Sequence, residues 1–285
     1  MSTLPNDRIS PTQFAELFEP RLETGHKGTF GSVGLLGGAK GMTGAVTLAA
    51  RCALKAGAGK VYVGVTQTNP DISLDPCQPE VMWRSSDGLI GLAADIEAWA
   101  VGCGLGNESS AIQAAKTVFS TRGQSPLVID ADALNALARG DLSPVWGKAA
   151  VIMTPHPAEA ARLLGTTTKV VQHDRLLAAK TLAETFNAWI VLKGHQTVVA
   201  DPNGQYQINP SGNVGLATAG TGDVLTGLLT SFLAQGFEPA VAVPAAVWLH
   251  GRAAEALTQQ LGGPVGLTAS ELIDMIRLLR NRTAT

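Results

Sequence analysis

Short runs made almost only of apolar residues alternate along this chain with longer segments in which apolar residues recur at helical spacing. The short runs predict strands buried on both faces, and the longer segments predict helices that cover them. The predicted strands are Val33–Leu36, Val61–Val65, Ala98–Val101, Leu127–Ile129, Ala150–Met153 and Ile190–Leu192. The predicted helices between them are Thr43–Lys55, Ala111–Phe119, Asp132–Leu137, Ala158–Leu164 and Arg175–Phe186. This alternation predicts a mostly parallel sheet with helices on both faces.

The pattern changes after residue 196. Thr197–Ala200 and Gln205–Ile208 flank the turn Pro202-Asn203-Gly204, which predicts a hairpin and therefore an antiparallel element at one edge of the sheet. Three helices are predicted to follow, at Val224–Ala234, Ala240–Thr258 and Ala269–Arg280.

The first 30 residues are polar and irregular, apart from a short helix predicted near Gln13–Phe18. We therefore expect a three-layer α/β/α fold in one domain over residues 1–285, with an irregular N-terminal extension over residues 1–25.

The composition and charge of the chain argue against some classes of binding partner. The chain is 45% hydrophobic and 15% charged, with a formal net charge of -2 and a sequence pI of about 6.2, so it has no broad basic surface for nucleic acid. Arg277, Arg280 and Arg282 cluster at the end of a predicted helix, where cations complement the helix dipole. No apolar run approaches the roughly 20 residues of a membrane helix. We expect a cytoplasmic protein that binds neither nucleic acid nor membrane.

Cysteine and histidine spacing does not indicate a metal centre. The three cysteines form no CxxC pair, so the sequence suggests neither a disulfide framework nor a zinc site. The histidines His26, His173, His195 and His250 share no spacing typical of ligands, and we expect no transition metal.

Glycines cluster directly after predicted strands, at Gly37-Gly38, at Gly102, Gly104 and Gly106, and at Gly220 and Gly222. In open α/β sheets ligands bind beyond the carboxyl ends of strands, where the backbone must approach them closely. The common phosphate motifs are absent, since neither Gly-Lys pair is followed by Ser or Thr and no GxGxxG occurs. The sequence therefore predicts a ligand crevice of another type.

The segment Gly220-Thr221-Gly222-Asp223 leads straight into an apolar helix. Unpaired N–H groups at such a helix start, with the positive end of the helix dipole, form an anion site. Asp223 is placed to accept a proton from a substrate hydroxyl beside that site. An aspartate here also commonly caps the helix, but a cap alone does not explain the flanking glycines.

This segment resembles the GTGD signature of ribokinase-like proteins, and the other blocks resemble one branch of them, the ADP- or ATP-dependent NAD(P)H-hydrate dehydratases. Gly102-Cys103-Gly104-Leu105-Gly106 is similar to that family's GPGLG, with Cys103 where proline is usual. The change could alter the rigidity of the loop, but both flanking glycines remain. The remaining blocks are His26–Gly31, Gly37–Ala39, Thr43–Ala45, Asp130–Asn135, Thr154–Pro157 with Glu159, and Val191–Thr197.

The resemblance implies a role for each matching residue. It implies a ribokinase-like fold in which Gly220, Thr221 and Gly222 form the anion hole and Asp223 is the catalytic base. The residues implied to contact the hydrated cofactor are Ala45, Gly106, His156 and Asp223. Those implied to contact the adenine nucleotide are Lys193, Gly194, His195, Gln196 and Thr197, together with the anion hole. Asp130 and Asp132 have two interpretations, as caps of the next helix or as water-mediated Mg²⁺ ligands.

The implied reaction is repair of NADHX and NADPHX, the hydrates of NADH and NADPH. A nucleotide, with ADP favoured over ATP and Mg²⁺ as counterion, would phosphorylate the hydroxyl of the S epimer, and loss of phosphate would restore the double bond. We expect a homo-oligomer and a separate epimerase for the other epimer. Two alternatives remain open. A ribokinase-like small-molecule kinase would stop at a phosphorylated product, and a nucleotide-sensing module would not need Asp223.

Overall fold

Nine strands form one continuous sheet in the computed structural model, which describes residues 7–21, 23–67 and 73–282. Their order across the sheet is β3-β2-β1-β4-β5-β6-β7-β8-β9. Strands β1 to β7 are parallel to one another, and the pairs β7–β8 and β8–β9 are antiparallel. The strands are β1 Ser32–Gly37, β2 Lys60–Val65, β3 Met82–Ser85, β4 Ala98–Val101, β5 Leu127–Ile129, β6 Val151–Met153, β7 Trp189–Leu192, β8 Val198–Ala200 and β9 Tyr206–Ile208.

Helices cover both faces of this sheet, so alternate residues of each strand enter one of two separate apolar clusters. One face is covered by α1 Thr43–Lys55, α8 Thr221–Ala234, α9 Pro239–Leu261 and α10 Ala269–Arg280. The other is covered by α2 Ser86–Ile90, α3 Ser109–Thr121, α4 Ala131–Arg139, α5 Pro157–Leu163, α6 Thr168–His173 and α7 Arg175–Phe186. Short 3-10 helices lie at Pro11–Phe18, Ala93–Asp95 and Val214–Leu216.

Local chemistry sets the ends of several helices. Gly140 and Gly262 have φ angles of +80° and +76°, so a left-handed residue follows the last turns of α4 and α9. Asn187 ends α7 in the same way with φ +46°. At the start of α10 the side chains of Thr268 and Glu271 form a capping box.

The predicted fold class is confirmed, because the sheet is mostly parallel, lies between two helical layers and ends in an antiparallel hairpin. The N-terminal extension is more ordered than predicted. Its helix spans Pro11–Phe18, buries Phe14 and Leu17, and follows a bridge between Arg8 and Ile208. The first six residues of that extension, and residue 22, lie outside the described residues. Within the described ranges, no helix is both long and apolar enough to cross a membrane.

The parallel strands bring the predicted functional segments to one edge. Strand β1 is followed by Gly38 and strand β4 by the loop of residues 102–106, while Asp130 follows β5, His156 lies three residues after β6, and Lys193 follows β7. Backbone hydrogen bonds hold these segments together, for example from the N–H of Lys193 to the carbonyl of Pro155 at 2.9 Å. Helix α8 begins at the same edge of the sheet.

Candidate active site

The start of α8 presents free backbone donors. Gly220, with φ +89°, precedes the helix, and the first residues, Thr221, Gly222 and Asp223, form its first turn. Among the described residues, the N–H groups of Gly222 and Asp223 donate to no backbone carbonyl. The Thr221 hydroxyl donates to the carbonyls of Leu216 and Thr218, at 2.9 and 3.0 Å, and so holds the loop before the helix. Unpaired N–H groups and the helix dipole make this turn suitable for binding an anion.

The glycine at position 222 leaves space in front of that turn. A Cβ built there would lie 3.4 Å from Lys193 Nζ and 3.8 Å from Asp130 Oδ2, which is ordinary contact. An added side chain would therefore occupy the anion site without colliding with the backbone. Gly220 is constrained differently, since its φ is positive and a Cβ would come within 2.5 Å of Leu48.

Lys193 and Asp130 form an ion pair beneath the anion site. Lys193 Nζ lies 2.7 Å from Asp130 Oδ1, and the carboxylate, 2% exposed, also accepts hydrogen bonds from the hydroxyls of Thr154 and Thr226. Burial alone would lower the pKa of Lys193, but the negative charges of Asp130 and Glu159 raise it above its ordinary value. Lys193 therefore stays a cation and adds positive charge at the point where the helix N–H groups converge.

Asp223 lies beside the Lys193–Asp130 ion pair, and the pKa of its carboxyl group is raised. These three residues, with Cys103, are called the centre below. Burial is the largest cause that raises the pKa of Asp223 to about 6, and the charge of Asp130 adds to it. The Cys103 thiol, as a donor to Asp223, opposes this rise. Cys103 Sγ and carboxylate oxygens of Asp130 and Asp223 all lie within 4.8 Å of one another. A buried carboxyl group that titrates near neutrality beside an anion site is suited to act as a general base.

His156 and Glu159 form a second polar pair at the start of α5. The ring Nδ1 accepts from the N–H groups of Ala158 and Glu159 at 3.1 and 3.3 Å. Burial, followed by the charge of Lys193, lowers the pKa of His156, so the neutral ring carries its proton on Nε2. The side chain of His156 is 46% exposed, and its Nε2 lies 3.4 Å from Oε1 of Glu159. Burial raises the pKa of Glu159 to about 7.

Two cavities lie near this centre. One, of about 390 Å³, is lined by most of the residues predicted to contact nucleotide, which are Lys193, Gly194, His195, Gln196, Thr197, Thr221 and Gly222. The other, of about 720 Å³, contains Gly106 and is lined also by Met42, Asn107, Asp132, Asn135, Ala138, Arg139 and Arg162.

The remaining predicted contacts lie around these cavities. Ala45 is placed close to the second one, because a Cβ on Gly104 would lie 3.3 Å from the Ala45 Cβ and 2.8 Å from that of Met42. Gly220, His156 and Asp223 are not part of either lining.

The capping interpretation is wrong for the aspartates. Asp130 stands at the N-cap position of α4 but makes no side-chain cap, because its oxygens bind Lys193, Thr154 and Thr226. Asp132 Oδ2 accepts from the N–H of Gly106 at 2.9 Å, across to the loop after β4. At α8 the N-cap residue is Gly220, and no side chain caps that helix. The side chains of Asp130 and Asp132 therefore bond to the loops after β4, β6 and β7 and to α8, and not to the start of α4.

Several lining residues were not predicted from the sequence. His250, on α9, is buried, and its Nε2 donates to the carbonyl of Thr221 at 2.9 Å, because a carbonyl oxygen can only accept. Burial lowers the pKa of this ring to about 4, so the ring is neutral. Arg175 donates to the carbonyls of Leu192 and Lys193 and so supports the loop after β7. Asn209, Ser211 and Asn213 also line the first cavity and stand shortly before Gly220 in the chain. His250 and Arg175 lie on separate helices and share no motif with that segment.

An anion site and a buried carboxylate at the carboxyl edge of a mostly parallel α/β sheet define a protein of the ribokinase-like class. Within that class the chain belongs to the NAD(P)H-hydrate dehydratase family, whose sequence profile matches residues 33–278.

Two curated relatives differ in length. The ADP-dependent (S)-NAD(P)H-hydrate dehydratase of Neisseria meningitidis is 44% identical over 272 residues, which are 95% of this chain and 92% of that protein. The bifunctional NAD(P)H-hydrate repair enzyme of Moorella thermoacetica is 41% identical over 290 residues. That match covers 97% of this chain but 54% of the relative, so the chain spans about half the length of the bifunctional protein.

Solved structures share the fold. The ADP/ATP-dependent NAD(P)H-hydrate dehydratase of Bacillus subtilis, co-crystallised with ATP and Mg²⁺, superimposes with a TM-score of 0.83 at 34% identity and covers 98% of this chain and 100% of its own. A ribokinase-like superfamily protein of Enterococcus faecalis has a TM-score of 0.86 at 26% identity. The match covers 97% of this chain and 96% of that protein. These similarities confirm both the predicted class and the predicted family.

Proposed function

We propose that this chain is a hydro-lyase that repairs nicotinamide cofactors, converting the S epimers of NADHX and NADPHX to NADH and NADPH at the expense of ADP, or of ATP. The observation that supports this most directly is the anion site at the start of α8 beside the buried carboxyl group of Asp223. The names of the relatives agree with the chemistry that this centre allows.

In the proposed mechanism the nucleotide binds in the cavity lined by Lys193 and residues 194–197, with its terminal phosphate at the start of α8. Asp223 removes the proton of the substrate hydroxyl, whose oxygen attacks the terminal phosphoryl group of ADP. The bond between that phosphorus and the bridging oxygen breaks, and AMP leaves (ADP leaves when ATP is the donor). The N–H groups of Gly222 and Asp223 and the ammonium of Lys193 stabilise the charge that develops on the transferring group. The substrate is placed toward Ala45, Gly106 and His156.

Mg²⁺ enters this mechanism with the nucleotide. Cys103, Asp130 and Asp223 bring possible ligand atoms within 4.8 Å of one another, but a thiol is a poor ligand for Mg²⁺. Asp130 is already bound by Lys193 and two threonines. The cluster therefore does not fit a dedicated magnesium site. Mg²⁺ is proposed to be held by phosphate oxygens and water, as is common where it accompanies a nucleotide.

The first prediction tests the activity. Chemically prepared hydrate, incubated with the protein, Mg²⁺ and either ADP or ATP, is expected to regain the absorbance of the reduced nicotinamide. One nucleotide should be consumed for each NADH or NADPH formed. A chelator should abolish the reaction, because nothing else neutralises the phosphates fully. Full turnover with chelator, or a stable phosphorylated product, would contradict the proposal. The latter result would favour the small-molecule kinase.

A second prediction concerns Gly222→Val. The valine side chain would fill the space before the helix N–H groups, so nucleotide affinity should fall at least tenfold, about 1.4 kcal/mol, in a calorimetric titration. The protein should remain folded, because a Cβ at this position meets nothing closer than 3.4 Å. Gly263→Val is the matched control, since a Cβ there has no neighbour within 4 Å. Equal affinity of the two variants would remove Gly222 from the nucleotide site.

We also propose the domain organisation, the oligomeric state, a partner enzyme and the location of this protein. Residues 1–285 are taken as one domain, because both apolar clusters pack on one sheet. A homo-oligomer is also proposed, to be tested by the mass of the protein in solution. A separate epimerase would supply the S epimer, since a base fixed at the start of α8 faces only one side of the ring. The cytoplasm, which contains both nucleotide and reduced cofactor, is the proposed location.

A further inference from the structure

The proposed dehydration requires two protons to be removed, and Asp223 accounts for one of them. When the C6–O bond of the phosphorylated hydrate breaks, phosphate leaves with the bonding electrons and the lone pair of ring nitrogen N1 forms a C6=N1 double bond. The C5–H bond must then break, so that its electrons form the C5=C6 double bond and the C6=N1 electrons return to nitrogen. The C5 proton therefore needs an acceptor of its own.

The other carboxylates of the centre are not free to accept it. Asp130 is 2% exposed, and its oxygens bind Lys193, Thr154 and Thr226. Glu159 is 5% exposed, its Oε2 accepts from the N–H of His156 at 2.8 Å, and its Oε1 lies 3.4 Å from Nε2 of the same residue. Asp223 is occupied with the proton of the hydroxyl group. None of the three presents a free oxygen to the ring carbon next to the reacting hydroxyl.

Asp132 has the required position. Its side chain lines the cavity that contains Gly106, and no other carboxylate does so among the described residues. Oδ2 accepts the N–H of Gly106 at 2.9 Å, which fixes the orientation of the group. Within the described part of the chain, Oδ1 makes no hydrogen bond. Asp132 is also near enough to Asp223 for its charge to contribute to raising the pKa of Asp223.

The backbone at this point separates the two neighbouring aspartates. Ala131, between them, has φ +50°, a left-handed conformation that is uncommon for a residue other than glycine. Asp130 on one side faces Lys193, and Asp132 on the other faces Gly106 and the cavity. A strained residue of this kind persists only where the surrounding contacts hold it in place.

We propose that Asp132 is a second catalytic base, which accepts the proton from C5 after phosphate has left C6. This inference rests on the proposed function. It assigns the two proton transfers to carboxyl groups on different segments, with Asp223 on α8 serving phosphoryl transfer and Asp132 on α4 serving formation of the double bond.

The test measures AMP and NADH separately, with the S epimer of NADHX and ADP as substrates. The parent enzyme should form one AMP for each NADH. In Asp132→Asn the amide oxygen still accepts the Gly106 N–H, so phosphoryl transfer should continue, while NADH formation falls by about 10²-fold or more. Water would then add back to the C6=N1 intermediate, and the ratio of AMP to NADH should rise well above one. Hydrate recovered from ¹⁸O water should carry the label at C6.

Asp274→Asn is the matched control, because Asp274 is 57% exposed on α10 and pairs with Lys55 and Arg277, none of which lines either cavity. It should keep the parent ratio and rate. If AMP and NADH fall together in Asp132→Asn, with the ratio near one, Asp132 supports phosphoryl transfer or the loop and is not the second base. A parent rate in this variant would make the leaving phosphate the acceptor. A parent enzyme that forms neither product would instead overturn the proposed function.

Discussion

Replacement of Asp223 by Asn is expected to lower the turnover of hydrate by about 10²–10⁴-fold, which is roughly 3–5 kcal/mol of activation free energy. Asn has nearly the size of Asp and fits the same buried site, but it cannot accept the proton of the substrate hydroxyl. Because the N–H groups at the start of α8 belong to the backbone, they remain in place. Nucleotide affinity should therefore change little, which separates this variant from Gly222→Val.

The measurements are the rate of return of reduced-nicotinamide absorbance, the dissociation constant for ADP and the thermal denaturation midpoint. If Asp223 only stabilised the helix, Asn would replace it well, since the two residues cap helices about equally. A rate for Asp223→Asn within a few-fold of the parent rate would remove the general base from the mechanism. A large fall in ADP affinity would assign Asp223 to nucleotide binding instead.

The pH dependence gives a second measurement on the same residue. Burial raises the pKa of Asp223 to about 6, and a base acts only when it is deprotonated. For the parent enzyme, kcat/KM should therefore rise with pH through about 6 and then level off, because the protonated fraction disappears above that value. The residual activity of Asp223→Asn should lack this acidic limb. An unchanged limb in the variant would place the titration on another group.

The strands of the sheet were predictable where they are wholly buried. Strands β1, β2 and β4 to β7 lie within a few residues of the predicted runs, because a strand covered on both faces has no polar positions to interrupt it. Strand β3, Met82–Ser85, was missed because it lies at the edge and exposes two of its four residues. Helix α6 was missed because it is only six residues long and buries one of them, Val171.

The sequence predicted only those features of the centre that neighbouring residues form together. The glycines before Asp223 predicted the unpaired N–H groups at the start of α8, because these groups belong to neighbouring residues. The ion pair of Lys193 with Asp130 joins residues 63 positions apart, and only the order of the parallel strands brings them together. His250 reaches Thr221 from a helix whose pattern indicates only packing. Cys103 was expected to affect the rigidity of its loop, yet its thiol lies beside the carboxylates of the centre.

The Lys193–Asp130 pair leads to the other large expected effect. Lys193→Met is expected to lower the free energy of unfolding by about 3 kcal/mol, near the lower end of values for breaking a buried ion pair, because the side chain of Lys193 is 22% exposed. Asp130 would remain buried with only the hydroxyls of Thr154 and Thr226 as partners. A loss of this size should lower Tm by about 5 °C. Turnover should also fall by about 10²–10³-fold, as when one donor to a transition-state anion is removed.

The double variant Lys193→Met with Asp130→Asn separates stability from catalysis. The asparagine introduced at position 130 carries no charge to leave unpaired, and both threonine hydroxyls can turn to donate to it or accept from it. Most of the lost Tm should therefore return, while turnover stays low because the cation beside Gly222 is still missing. Thermal denaturation and hydrate assays on the parent, both single variants and the double variant complete the cycle. If the double variant regains parent turnover together with stability, Lys193 serves only to neutralise Asp130 and makes no contribution to phosphoryl transfer.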